Sequence, residues 1–290
     1  MNISSIISLK TVIILNQQIS IYFLYVSLTF GMIGNSMNIL VFLTLKTFRR
    51  NCCAFYLIVE SVFGFIFLII QFLTQYLSFM MKSDLANQSL IWCKIRISLG
   101  QSFRLLVCST VCFEAFDQFI TTHPRLMRRK IYDIRHAQIL ILASLIIWFL
   151  HTIPYIIYQE IIPFRGCILT NSKLNEYYSF FYFPILNGIL PMLISILFSL
   201  LAYRNVRHLV QSRIRIQRRR LDRQMTAMIF ARVIFFVLFL FPQTVNRISQ
   251  LNIDLNQVEP FSRSIFQWFS TISGFLHTLV YAVSFSFFYI

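Results

Sequence analysis

Charge is scarce in this 290-residue chain. Asp, Glu, Lys and Arg make up 12% of it, against 57% hydrophobic residues, and the mean hydropathy is +0.69. A soluble domain of this length carries about twice that share of charge, so a water-soluble globular fold is excluded. Acid is scarcer than base, with 10 Asp and Glu against 26 Lys and Arg and a net charge of +16. Glycine and proline number only 7 each. No Gly/Pro/Ser-rich linker or composition break divides the chain, which predicts one domain over residues 1–290. Repeats and low-complexity tracts are also missing; the one bias is toward Phe, which suits lipid contact.

Catalytic signatures are lacking as well. There is no Gly-x-x-x-x-Gly-Lys phosphate loop, no His-Glu-x-x-His and no Gly-x-Ser-x-Gly. His123, His136, His151, His208 and His277 are scattered without metal-ligand spacing. The expectation is a protein that is not an enzyme and takes no metal or cofactor. Residues 1–18 are short and mixed and lack a cleavage site after a basic-then-apolar run, so a removed signal peptide is not expected.

What the chain does have is long apolar runs. They predict an all-α membrane protein with spans at about 21–45, 53–80, 91–121, 138–158, 178–203, 224–248 and 262–288. The basic residues lie between the runs, which is the mark of membrane topology rather than of nucleic-acid binding. Lys46, Arg49 and Arg50 follow the first run. Arg125, Arg128, Arg129, Lys130 and Arg135 follow the third. Arg204, Arg207, Arg213, Arg215, Arg218, Arg219, Arg220 and Arg223 follow the fifth. The opposite side holds only Lys10, Lys82, Arg165, Lys173, Arg247 and Arg263. By the positive-inside rule the N-terminus is outside and the C-terminus inside. The 204–223 segment has no aromatic interleaving for bases, so it reads as a surface for the inner leaflet or a partner protein.

Asn2-Ile3-Ser4 and Asn87-Gln88-Ser89 are glycosylation sequons on the expected outer side, each weak evidence alone. Cys93 and Cys167 are the only two cysteines expected there, where disulfides persist. A bridge between them would pin the second outer loop over the third span; the alternative is two unpaired thiols. Cys52 and Cys53, at the inner face, are candidates for palmitoylation or for plain packing.

The third span organises the rest. Its apolar middle carries Arg104, Glu114, Asp117 and Gln118, a load that a lipid-facing helix could not bear. It should therefore be central. From Cys93 to Asp117 the helical rise gives about 36 Å, enough to cross a hydrocarbon core. A Cys at the outer end and an acidic triplet at the inner end, here Asp117-Gln118-Phe119, resemble the third span of rhodopsin-family (class A) G-protein-coupled receptors. Gly34-Asn35, Trp148, Pro191, Pro242 and the Cys93/Cys167 pair fall in order where that family has its own marks.

The resemblance implies a cell-surface receptor in the plasma membrane, with an extracellular ligand and a heterotrimeric G protein on the cytoplasmic side. The departures resemble a divergent, lineage-expanded invertebrate receptor of the peptide or chemosensory type. Gln118 replaces the family's Arg. Gly64 stands where the family has a sodium-holding Asp, Phe239-Leu240-Phe241-Pro242 where it has Cys-Trp-x-Pro, and Ser284-Phe285-Ser286-Phe287-Phe288 where it has Asn-Pro-x-x-Tyr. Two other readings stay open. One is a receptor-shaped ligand binder that does not signal. The other is a channel or transporter, against which stand the lack of repeat halves and of paired broken helices.

For a ligand, the position that holds an acid in amine receptors is Gly100, so an amine is disfavoured. Arg104, one turn deeper, is a candidate anchor for a carboxylate, phosphate or amide oxygen. The alternative is an Arg satisfied by backbone carbonyls or by Gln101. For activation, Glu60, Glu114 and Arg232 lie at similar depth, where the resemblance implies apolar residues. An Arg cannot lose its proton there, so Arg232 is expected to bridge to Glu114 with Glu60 sharing the network. The two carboxylates would titrate as a coupled pair. This bridge is expected to act as a latch in place of the ion pair that Gln118 cannot make. The alternatives are a bridge that only stabilises the fold, or an Arg232 that snorkels away.

Overall fold

The structure is a computed structural model that describes residues 3–44, 52–80, 88–123, 133–162, 166–211, 216–252 and 260–282. The chain is almost wholly helical. Four helices open it: α1 (Ile3–Thr44), α2 (Cys52–Met80), α3 (Leu90–Thr122) and α4 (Ile134–Tyr158). A two-stranded antiparallel hairpin follows, β1 (Gln159–Ile162) and β2 (Gly166–Leu169), pairing Gln159 with Leu169 and Ile162 with Gly166. Next come α5 (Ser172–Tyr177), a wide-turned π-helical segment (Tyr178–Ile189), and α6 (Leu190–Gln211). The chain ends in α7 (Ile216–Asn252) and α8 (Pro260–Ala282).

Six stretches among the described residues are long and apolar enough to cross a membrane: Gln18–Thr44, Cys52–Leu77, Leu90–Thr122, Ile134–Tyr158, Ser172–Arg207 and Met225–Leu251. The chain is an all-α membrane protein. Its polar side chains point inward, where lipid cannot satisfy them. Asn35, Asn38, Glu114, Asp117 and Asn246 are each at most 1% exposed. The outward faces are apolar: Tyr22, Phe30, Ile33 and Leu40 line one side of α1, and Ile139, Leu142, Ile146 and Leu150 one side of α4.

Helix α3 sits in the middle. It packs against α2, α4, the π-helical segment, α6, α7 and strand β1, while α1 and α8 close the bundle by packing on each other. Local chemistry fixes its ends. The Ser89 hydroxyl accepts from the Trp92 amide at the N-terminus. At the other end His123 is extended, as the residue before a proline prefers to be, and Pro124 follows it. Helix α4 starts in a capping box: Asp133 Oδ1 accepts from the Ile134 amide, and His136 Nδ1 accepts from the Asp133 amide.

The expected first and sixth spans meet the apolar stretches Gln18–Thr44 and Met225–Leu251. The helices that carry them start earlier: α1 at Ile3, because no glycine or proline interrupts the chain before Gly31, and α7 at Ile216, since the Arg- and Gln-rich run ahead of the span favours helix. The stretch 159–177, expected to be a loop, is instead the β-hairpin and α5. The seventh run is helical over Pro260–Ala282, and Ser284 to Phe288 lie outside the described residues. So do Asn2 and Asn87, the basic residues after the first run, Arg125 to Lys130 after the third, and Arg213 and Arg215 after the fifth. The side chains of Arg218, Arg219, Arg220 and Arg223 likewise fall outside them.

Cys93 and Cys167 form a disulfide with 5.9 Å between their Cα atoms. It ties β2 to the top of α3. Cys52 and Cys53 are buried, Cys53 to 1%, and pack in the core. Gly64 has a packing reason. A Cβ there would lie 2.9 Å from the Tyr281 carbonyl oxygen, the same oxygen that accepts from Asn35 Nδ2 at 3.0 Å. Helices α1, α2 and α8 meet at this point because position 64 has no side chain.

Two substitutions test these contacts in detergent-solubilised protein. Cys93→Ser should lower unfolding stability by about 2–4 kcal/mol, and Cys167→Ser should match it with no further loss in the double variant. Gly64→Asp should cost about 1–3 kcal/mol by forcing α2 off α8. An unchanged melting temperature for Gly64→Asp would show that α2 and α8 can part freely.

Candidate functional site

The core of the bundle holds two polar layers, about 15 Å apart by the rise of α3 between Arg104 and Glu114. The layer further from the disulfide centres on Arg232 of α7. Its Nη1 reaches Glu114 Oε1 of α3 at 3.1 Å, and its Nη2 pairs with Glu60 Oε1 of α2. Glu114 is fully buried, and Glu60 and Arg232 are 5% and 6% exposed. Three helices thus meet at one guanidinium. Such a group attracts strongly in a medium that screens weakly, but each ion has lost its water, so the net gain depends on all three staying together. Phe235, Phe236, Phe239, Val111, Leu279 and Val280 wall the triad.

One turn toward the basic end lies Asp117. The Cys53 thiol donates to Asp117 Oδ2 at 2.7 Å and lies 3.3 Å from Gln118 Oε1. Gln118 Nε2 donates to Thr226 Oγ1 of α7 at 2.5 Å. So Gln118 joins α3 to α7 by a neutral hydrogen bond, beside the ionic bridge one turn away. Cys53 and Thr226 escaped sequence reasoning, because a thiol and a hydroxyl carry no signal of partner or register. Pro242 sits in α7 between this layer and the other.

The second layer lies nearer the disulfide. Arg104 places its Cζ 5.5 Å from the Phe67 ring centre and 5.7 Å from that of Phe183. Arg247 of α7 approaches the same Phe183 ring at 4.5 Å. Phe183 belongs to the π-helical segment and packs among Tyr178 and Tyr182, whose rings stack at 5.1 Å. Gly100 lies beside the Arg104 guanidinium: a Cβ there would touch its Nη2 at 3.8 Å, an ordinary contact. Gln101 is 1% exposed, and neither its Oε1 nor its Nε2 finds a partner among the described residues. Arg104 is therefore not paired with Gln101; aromatic faces surround it instead. Arg247 was missed as a site residue, since a lone Arg near a helix end reads first as a topology marker.

The structure thus brings Glu60, Glu114 and Arg232 together, places Asp117 and Gln118 beside them, and groups Arg104, Gly100 and Gln101 in a separate layer. No protein-family model matches the chain, and no curated protein matches it.

The triad makes a strict prediction for stability. Glu114→Arg leaves two guanidiniums beside one carboxylate and should cost about 3–5 kcal/mol or abolish folding. Adding Arg232→Glu restores the charge count and should recover at least half of that loss, read as surface expression and melting temperature. Additive damage in the double variant would mean that the two side chains do not interact.

Proposed function

We propose that this protein is a seven-helix receptor of the class A G-protein-coupled type, multi-pass in the plasma membrane with its N-terminus outside. It binds an extracellular peptide or small chemosensory molecule and passes the signal to a heterotrimeric G protein. Helix α8 is the seventh span. Its 23 residues extend about 35 Å. Its polar face, with Ser264, Ser273 and His277, turns into the bundle, while Ile265, Phe269 and Ile272 turn out. That two-sided composition lowers its average hydropathy without barring it from the membrane.

The observation that carries the reading is the Arg232 bridge. It clamps α7 to α2 and α3 at the end of the core away from the disulfide, where outward motion of one helix would open a surface for a G protein. In this reading Glu114 and Arg232 are the resting latch, and the Gln118–Thr226 hydrogen bond is its neutral companion. Ligand binding at the disulfide end shifts the balance by favouring the open arrangement. Pro242 lies between the two ends of α7, where a helix most readily changes its bend.

The test needs no ligand. Glu114→Gln removes one arm of the latch and keeps its shape. In cells reporting G-protein activation and membrane current side by side, it should raise basal G-protein signal severalfold at matched surface levels. An unchanged basal signal leaves the bridge a purely structural pair. A current without G-protein activation would favour a channel. No basal signal in either readout, from wild type or variant at matched surface levels, would favour a non-signalling binder, the reading to which Gln118 lends weight.

A further inference from the structure

The half-buried positive charge of Arg104 and Arg247, in the layer nearer the disulfide, meets no carboxylate among the described residues. Arg104 and Arg247 approach one phenyl ring from two helices, and the charge of Arg104 is felt at Arg247. His277 lies within reach of both. The titratable neighbours on the other packed elements are Tyr178, Tyr182 and Tyr281, with the Cys108 thiol. None is a carboxylate. Neither arginine forms an ion pair among the described residues. The Nε atoms of both are buried and without a hydrogen-bond partner there. Arg247 donates from Nη1 to Gln250 Oε1 at 3.1 Å, a neutral contact that does not cancel its charge. The nearby Gln101 amide is likewise unpartnered.

Elsewhere the same molecule answers one buried arginine with two glutamates. Two arginines gathered with no acid among the described residues, beside a spare amide and four aromatic rings, make a complementary surface for an anion with an apolar body. We propose that Arg104 and Arg247 together bind the carboxylate of an organic ligand, with Phe67, Phe183, Tyr178 and Tyr182 holding its apolar part. The carboxylate takes the guanidinium hydrogens. The aromatic walls favour a carboxylate over inorganic phosphate, which has no apolar part to bury. The ligand ties α3 to α7 at the disulfide end. Arg247 and Arg232 share α7, about 22 Å apart by helical rise, so one rod carries both the ligand contact and the latch. This last step rests on the receptor reading; the binding site does not.

The experiment uses the full chain in nanodiscs. Phenylacetate and its neutral amide, phenylacetamide, are compared by thermal shift, with inorganic phosphate as a third arm. Phenylacetate should raise the melting temperature in a saturable way, and the amide should not. Arg104→Gln and Arg247→Gln should each weaken the apparent Kd roughly tenfold or more, while Arg247→Lys should keep part of the effect. Equal shifts with acid and amide would overturn the proposal, as would no shift with phenylacetate. A response to phosphate alone would overturn the carboxylate assignment. Unaltered binding in the Arg104→Gln/Arg247→Gln double variant would show that the anion sits elsewhere. Failure of the receptor reading looks different: phenylacetate would bind through both arginines yet leave the G-protein reporter silent in cells.

Discussion

A guanidinium keeps its proton in a protein, whatever surrounds it. Arg232 is 6% exposed in the interior of an apolar bundle, so the rest of the fold has to bring negative charge to it. Two acids come from two other helices, which fixes the rotation of α2, α3 and α7 about their own axes. Once those three are set, the apolar faces above and below fall into register. Leu57 of α2, Leu106, Val107 and Val111 of α3, and Ile229, Val233, Phe236 and Leu240 of α7 belong to one continuous cluster. Hydrophobic contacts are non-directional and would tolerate other rotations. The charged triad would not, since each misplaced ion would stand alone in a medium that cannot solvate it.

Much of this was legible in the sequence because membrane burial leaves few options. Apolar runs had to be helices, and ionisable residues in them had to face one another. Glu60, Glu114 and Arg232 could be grouped from depth alone, since only one guanidinium and two carboxylates competed for that level. Depth fails where the group is neutral or where two candidates share a level. Nothing in the residue types ties Cys53 to Asp117, or Gln118 to Thr226; those contacts come from helix rotation. Arg247 and Arg104 converge on a ring whose placement depends on a backbone irregularity that hydropathy does not register. The β-hairpin was invisible for another reason. Its strands are four residues each, too short to show alternation, and the Cys167 bridge together with contact to α3 helps hold them.

The places where the sequence differs from the receptor pattern it resembles have local packing causes. Gly64 admits the Tyr281 carbonyl and keeps Asn35 bonded to it. Leu240, in the segment where the family has a switch tryptophan, is 1% exposed and belongs to the core cluster. Ionic contacts hold the layer of Glu60, Glu114 and Arg232, and Gln118 makes a neutral one about a turn along α3. Helices α3 and α7 are thus joined by both kinds of contact.

The π-helical segment buries Tyr182, Phe183 and Pro184 in succession. A regular helix turns about 100° per residue and would carry one of three neighbours away from the core. The wider turns spend extra residues to keep all three inward, and Pro184 and Pro191 have no amide hydrogen to tighten the coil. The aromatic wall beside Arg104 and Arg247 is thus written in backbone pitch as much as in side chains. Losing a single residue here would let the coil tighten and swing Phe183 away from the two arginines, with α6 left undisturbed beyond it. A one-residue deletion is therefore a larger change to this wall than most substitutions.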